Sequence, residues 1–313
     1  MATDGGTRAV VTALGANVGI AVAKFVAAAI TGSASMLAEA VHSVADSGNQ
    51  VLLLIGGRRA RQAPSALHQF GYARVRYLYA FLVAIVLFTL GGLYALYEGY
   101  RKIADPHSLT SPIVAVAVLL IAMMLEGYAL RTAVREANRT RGTRSWAHFI
   151  RRSRSPELPV ILLEDSGALV GLSLALLGVG LTALTGNSVF DGIATLCIGG
   201  LLVTIAVLLA RETTSLLIGE AAVPEQANKI YAALLSSPGV AQVIHLRTVH
   251  LGPDELLVAG KIGVSPEADG EDIAATINDA EARVREALPS ARIIYLEPDI
   301  YRPSAPSAAE ASP

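Results

Sequence analysis

The sequence predicts a polytopic α-helical membrane protein with six transmembrane helices, followed by a small α+β cytoplasmic domain. Three observations predict it. Of 313 residues, 53% are hydrophobic and only 16% charged, where a soluble domain carries about a quarter charged. Apolar runs long enough to span a bilayer can be drawn at 9–31, 34–57, 77–100, 111–134, 158–184 and 188–211. After Arg211 the composition becomes that of a soluble domain. The expected division is 1–216 for the membrane domain, 217–302 for the cytoplasmic domain and 303–313 for a disordered tail rich in Pro, Ala and Ser.

The start of the chain, Met1 to Arg8, is too short and polar for a cleaved signal peptide, so the first apolar segment reads as a retained anchor. Thr31-Gly32-Ser33 is a tight, uncharged turn. The second connection is crowded with Arg58, Arg59, Arg61, Arg74 and Arg76. The third is short, with Asp105-Pro106-His107, and carries Arg101 and Lys102. The fourth holds Arg131, Arg135, Arg139, Arg141, Arg144, Arg151, Arg152 and Arg154; the fifth, around Thr185-Gly186-Asn187, has no positive charge. Positive-inside bias predicts connections two and four in the cytoplasm, with both termini there too. Arg101 and Lys102 are the one mild exception. The single cysteine, Cys197, excludes an intrachain disulfide and reads as a small buried hydrophobe.

In the last third, residues 224–237 read as an amphipathic helix ended by Pro238-Gly239. Val240 to His250 and Leu256 to Val264 read as strands around the turn Gly252-Pro253-Asp254. Asp269 to Leu288 reads as a charged helix and Arg292 to Leu296 as a final strand. The order α-β-β-α-β is ferredoxin-like or metallochaperone-like. At about 85 residues such a domain is near the smallest that folds alone, and dimerisation would help it.

The chemistry concentrates in the second apolar segment. On a helix, Glu39, His42, Asp46 and Asn49 form one polar stripe. Ionisable groups at membrane depth are costly and usually mark a pathway. His42 and Asp46, at i and i+4, can offer two ligands to one ion. Mixed nitrogen and oxygen donors suit Zn²⁺ or a similar ion, with Mn²⁺, Fe²⁺ and Co²⁺ as further candidates. The fifth segment supplies Glu164 and Asp165, which point about 100° apart, so one or both could face the stripe. Glu39 and Asn49 read as pathway or supporting residues. Glu126 reads equally as a partner of Arg131 or a pathway residue, and Lys24 as snorkelling or pairing with an acid. Asp191 reads as favouring the dipole of the sixth helix. His245 and His250 fall five apart on a strand and so on opposite faces, near Glu297 and Asp299 only through the fold; exposed histidines are expected there.

Gly32-Ser33-Ala34, Leu37-Ala38-Glu39-Ala40-Val41-His42-Ser43-Val44-Ala45-Asp46 and His68-Gln69-Phe70-Gly71-Tyr72-Ala73-Arg74 resemble the cation diffusion facilitator family. The resemblance implies a homodimer that exports Zn²⁺ or related ions in exchange for protons. It also implies a membrane site that joins two positions of the second helix to two of the fifth, usually as (His/Asp)-x-x-x-Asp on each. His42 and Asp46 match. The fifth helix departs, with Ile161 four residues before Asp165 and Ala168 four after Glu164. Arg76 stands where many members carry an acid, and His68 matches the family's loop histidine, an accessory candidate that reads here as a loop-packing residue. Val75-Arg76-Tyr77, Leu125-Glu126-Gly127 and Leu163-Glu164-Asp165 are similar to the zinc-transporter-nine-like branch.

The expected function is therefore efflux of a divalent transition metal, most simply Zn²⁺, by proton-coupled alternating access in a homodimer. The expected partners are metal ions, protons and the lipid bilayer, and the expected location is a bacterial inner membrane. The rival is a non-transporting scaffold or metal sensor that keeps the fold. An enzyme is not expected, since no nucleophile–base pair or glycine-rich phosphate loop appears, and no organic cofactor is implied. Anionic lipid accounts for the arginines without any nucleic acid.

Overall fold

The computed structural model describes residues 4–300 except 144, 147, 148, 151, 152, 154 and 155, with side chains of 4–16 and 140 also outside the description. The expectations for Met1, for the 303–313 tail and for Arg144, Arg151, Arg152 and Arg154 lie outside the described residues. The chain divides into two compact units, Met1–Leu217 and Ile218–Pro313.

The first unit is a helical bundle: α1 (Asp4–Thr31), α2 (Ala34–Arg59), α3 (Val75–Val86), a π-helical segment (Leu87–Leu93), α4 (Tyr94–Ala104), α5 (Pro112–Arg141), α6 (Glu157–Thr185) and α7 (Val189–Ile218). Among the described residues, four spans meet the length and apolarity needed to cross a membrane: Val75–Ala104, Pro112–Arg139, Glu157–Thr185 and Val189–Ile218. Of α1, the described apolar part is the shorter Asn17–Thr31. α2 is 26 residues long, but its polar stripe lowers its apolarity. It touches α1, α3, the π segment, α4 and α6, so the stripe sits at the centre of the bundle.

Small residues bring the helices close. Gly92 and Gly99 on the third span face Val203, Leu196 and Gly192 on α7, and a Cβ on Gly199 would stand 2.8 Å from the backbone nitrogen of Leu96. Large apolar side chains fill the rest: Leu87, Leu119, Leu172, Ile198 and Leu202 are at most 1% exposed.

One end of the bundle is laced by polar contacts. Gly32 takes a positive φ of 66°, which turns the chain between α1 and α2. Ser33 then caps α2 by accepting from the Met36 amide. Asp191 of α7 joins that cap. It accepts from Ser33 Oγ at 2.9 Å, the Ala34 amide at 2.7 Å and the Ser35 amide at 3.3 Å, and also from Ser35 Oγ. Thr110 donates to the carbonyls of Thr31 and Ile30 at 2.9 and 2.5 Å. Lys102 Nζ donates to the Gly32 carbonyl at 2.8 Å, and Arg101 pairs with Glu98 at 3.1 Å. The two cations that broke the charge pattern are thus engaged, one as a helix C-terminal cap and one as an ion pair. At the opposite end Arg76 pairs with Glu157 at 3.0 Å, which joins the second connection to the start of α6.

The second unit has the expected order: α8 (Pro224–Leu235), β1 (Gln242–Gly252), β2 (Glu255–Val264), α9 (Gly270–Ala287) and β3 (Ala291–Ile300). β1 and β2 form an antiparallel hairpin; β3 returns through α9 to lie parallel to β2. A capping box at Asp269 starts α9. Ile230 and Leu234 of α8 and Val284 of α9 bury against Leu256, Val258, Ile262 and Ile294 of the sheet.

Two outcomes test this packing. Gly199→Ala should lower stability by about 1–3 kcal/mol through overpacking, whereas Gly180→Ala, which faces open space, should not lower it; thermal unfolding in detergent compares them. Asp191→Ala should cost about 1–3 kcal/mol for each buried donor left unpaired, read by the same melt.

Candidate metal centre

The centre is built on α2. Ala38, Ala40 and Ala45 are buried, and these small side chains let neighbouring helices approach the stripe. His42 is 1% exposed, and its Nε2 lies 3.6 Å from Asp46 Oδ2, whose side chain is 19% exposed. Both ring nitrogens of His42 and Oδ1 of Asp46 are buried without a hydrogen-bond partner. Buried polar atoms are nearly always bonded, so such a set calls for an explanation, and a bound ion is one. The π segment forms one wall here: a Cβ on Gly91 would stand 3.8 Å from His42 Nδ1. π-helical turns recur at functional sites.

α6 brings Glu164 against α2. Its Oε1 accepts from Asn49 Nδ2 at 2.6 Å, and the side chain is buried. Asn49 lies one turn along from Asp46. Asp165 is half-buried. Asp46 and Glu164 are within electrostatic reach of each other, as are Asp165 and Asp46. Glu126 of α5 reaches His42, Asp46 and Asp165 in the same way. Arg131, five residues on, lies about 140° further round the helix from it. Carboxylates from α5 and α6 thus gather near the His42–Asp46 pair. Among the described residues, however, no three metal-ligating side chains stand close enough together to hold an ion as they are.

Glu39 takes another partner. Its Oε2 pairs with Lys24 of α1 at 3.3 Å, and Lys24 also donates to Ser43 Oγ at 2.7 Å. Lys24 is 1% exposed and therefore does not snorkel.

The remaining candidates stand apart. His68 lies in the loop after α2, its ring 4.6 Å from that of Tyr72. His245 is exposed on β1, opposite Lys261, which pairs with Glu297 at 2.9 Å and Asp299 at 3.2 Å. Hydrogen bonds from Lys261 to Glu297 and then Asp299 hold its ammonium above the usual lysine range. The two acids are therefore matched to an ammonium beside His245. His250 corrects the expectation of exposure: it is 1% exposed, with Nδ1 3.4 Å from the Gly252 carbonyl, because it points to the inner face of β1.

Sequence reasoning missed three features. Asp191 was assigned to its own helix dipole, and nothing local signals that it also caps α2. For Lys24 the sequence offers pairing with an acid but not which acid, since the Lys24–Glu39 contact crosses two helices. The π segment had a readable sign, the pair Gly91-Gly92 in mid-helix.

Residues 10–218 match the cation efflux transmembrane domain, and residues 222–299 match the cation efflux protein cytoplasmic domain. The proton-coupled zinc antiporter SLC30A9, mitochondrial, of Mus musculus is 32% identical over 249 residues, 79% of this chain and 43% of that protein. The Homo sapiens protein of the same name is 32% identical over 248 residues, with the same coverage of each chain. Metal tolerance protein C4 of Arabidopsis thaliana is 29% identical over 248 residues, 79% of this chain and 54% of that protein. The chain thus spans about half the length of these relatives. A solved nickel form of the MamM CTD overlays 26% of this chain at 25% identity with a TM-score of 0.25. The two domain matches cover nearly the whole chain: it belongs to the cation efflux, or cation diffusion facilitator, family, in the SLC30A9-like branch, a family of integral membrane transporters rather than enzymes.

Proposed function

We propose that this chain is a divalent transition-metal efflux transporter that carries Zn²⁺ in exchange for protons. The observation that carries the reading is the His42–Asp46 pair: an imidazole with both nitrogens buried and unbonded, 3.6 Å from a carboxylate that is itself within electrostatic reach of acids on α5 and α6. His42 and Asp46 are the core ligands. Glu164, Asp165 or both complete the set as α6 shifts against α2, with Asn49 orienting Glu164 and Glu126 beside the path. The nitrogen and oxygen donors fit Zn²⁺ first, with Mn²⁺, Fe²⁺ and Co²⁺ as competitors.

In the reading proposed, all six helical rods of the first unit cross the membrane, both termini face the cytoplasm, and the laced end faces outward. The membrane is a bacterial inner membrane. The protein works as a homodimer whose cytoplasmic domain, residues 217–302, supplies the dimer contact. Metal binds from the cytosol to deprotonated ligands, the helices rock, and protons on the outer side displace it, since imidazole and carboxylates bind metal only when unprotonated. Glu164 standing against α2 supports transport over a non-transporting scaffold.

Proteoliposomes with an imposed pH gradient test this. Wild type should accumulate Zn²⁺, and His42→Ala and Asp46→Ala should each lose at least about tenfold in rate; wild-type flux from both variants would place the site elsewhere. Asn49→Ala, which frees Glu164, should weaken Zn²⁺ affinity about tenfold by titration calorimetry.

A further inference from the structure

The Lys24–Glu39 pair is fully internal to the bundle. The side chains are 1% and 0% exposed, and they join α1 to the same face of α2 that carries His42 one turn away. A buried ion pair kept for stability needs good geometry and full bonding of both charges, since desolvation otherwise outweighs the attraction. This pair lacks both. The ammonium makes its shorter contact, 2.7 Å, with the neutral hydroxyl of Ser43, and the longer, 3.3 Å, with the carboxylate. Oε1 of Glu39 is buried without a hydrogen-bond partner. It occupies space left by Gly171 of α6, where a Cβ would stand 2.5 Å from it. Lys24 is also within electrostatic reach of His42 and Asp46. The carboxylate is thus half free, beside the metal centre, and the cation that holds it has a second anchor ready.

We propose that Lys24 is a tethered cation on the permeation path: it holds Glu39 between transport events, then keeps only its bond to Ser43 and yields Glu39 to the divalent ion leaving His42 and Asp46. No bond is made or broken; one cation replaces another at a carboxylate. The inference rests on the transport reading above. Lys24 acts through Glu39 and is a positioning residue. Its positive charge keeps the passing metal from settling on Glu39, so removing it should trap the ion there.

Zn²⁺ flux into proteoliposomes tests this with the full chain. A wild-type protein that moves no Zn²⁺ would refute the transport reading itself. Given wild-type flux, Lys24→Met should lower both the KM for Zn²⁺ and the turnover about tenfold, and adding Glu39→Gln to it should return KM to within about threefold of wild type. Lowered turnover at unchanged KM, or a KM that Glu39→Gln does not restore, would overturn the proposal. Should Lys24→Met fail to fold, the charge-swapped Lys24→Glu/Glu39→Lys variant, which keeps an ion pair, decides. Turnover at least about tenfold below wild type in folded protein supports the proposal, and turnover within about threefold refutes it.

Discussion

A charge inside an apolar bundle must find a partner, and most of this structure follows from how α2 meets that demand. Its stripe places Glu39, His42, Asp46 and Asn49 toward other helices, since facing lipid would cost several kcal/mol per group. Lys24 answers Glu39, and Asn49 answers Glu164. His42 and Asp46 answer only each other, at a distance too long for a hydrogen bond. The least satisfied point of the stripe is therefore the point where a divalent ion would gain most.

Close approach is the second requirement. A helix surrounded by five neighbouring segments needs slender partners, and small residues supply them: alanines on α2, Gly91 beside His42, Gly171 beside Glu39, and the glycine seam between the third span and α7. Each glycine carries a specific contact. Gly171 admits a carboxylate oxygen, while Gly199 admits the backbone of the third span. Packing and polar chemistry are thus one arrangement seen from two sides.

The two ends of the bundle differ in the same terms. At one, Asp191, Lys102 and Thr110 join three connections through hydrogen bonds to backbone and hydroxyl groups. At the other, the arginine-rich connections contribute the Arg76–Glu157 pair. A fixed end opposite one held by an ion pair suits a bundle whose helices rock about one side, the motion that alternating access requires.

α5 and α7 run seven residues past their expected ends at 134 and 211. Otherwise the sequence by itself determined the class of the molecule, the helix limits to within a few residues, the α-β-β-α-β order of the second unit and the His42–Asp46 pair. These depend on composition, on period and on neighbours one helical turn apart, all written locally. Only the tertiary structure decided which partner each remaining charge takes. Lys24 meets Glu39 across 15 residues, Asn49 meets Glu164 across 115, and Asp191 caps a helix 157 residues away. Glu126 came within electrostatic reach of His42, and His250 went inside a strand pair instead of outside it. Such choices follow from how helices rotate and slide against one another. Packing at glycine and alanine contacts sets that rotation, and no single segment carries the information.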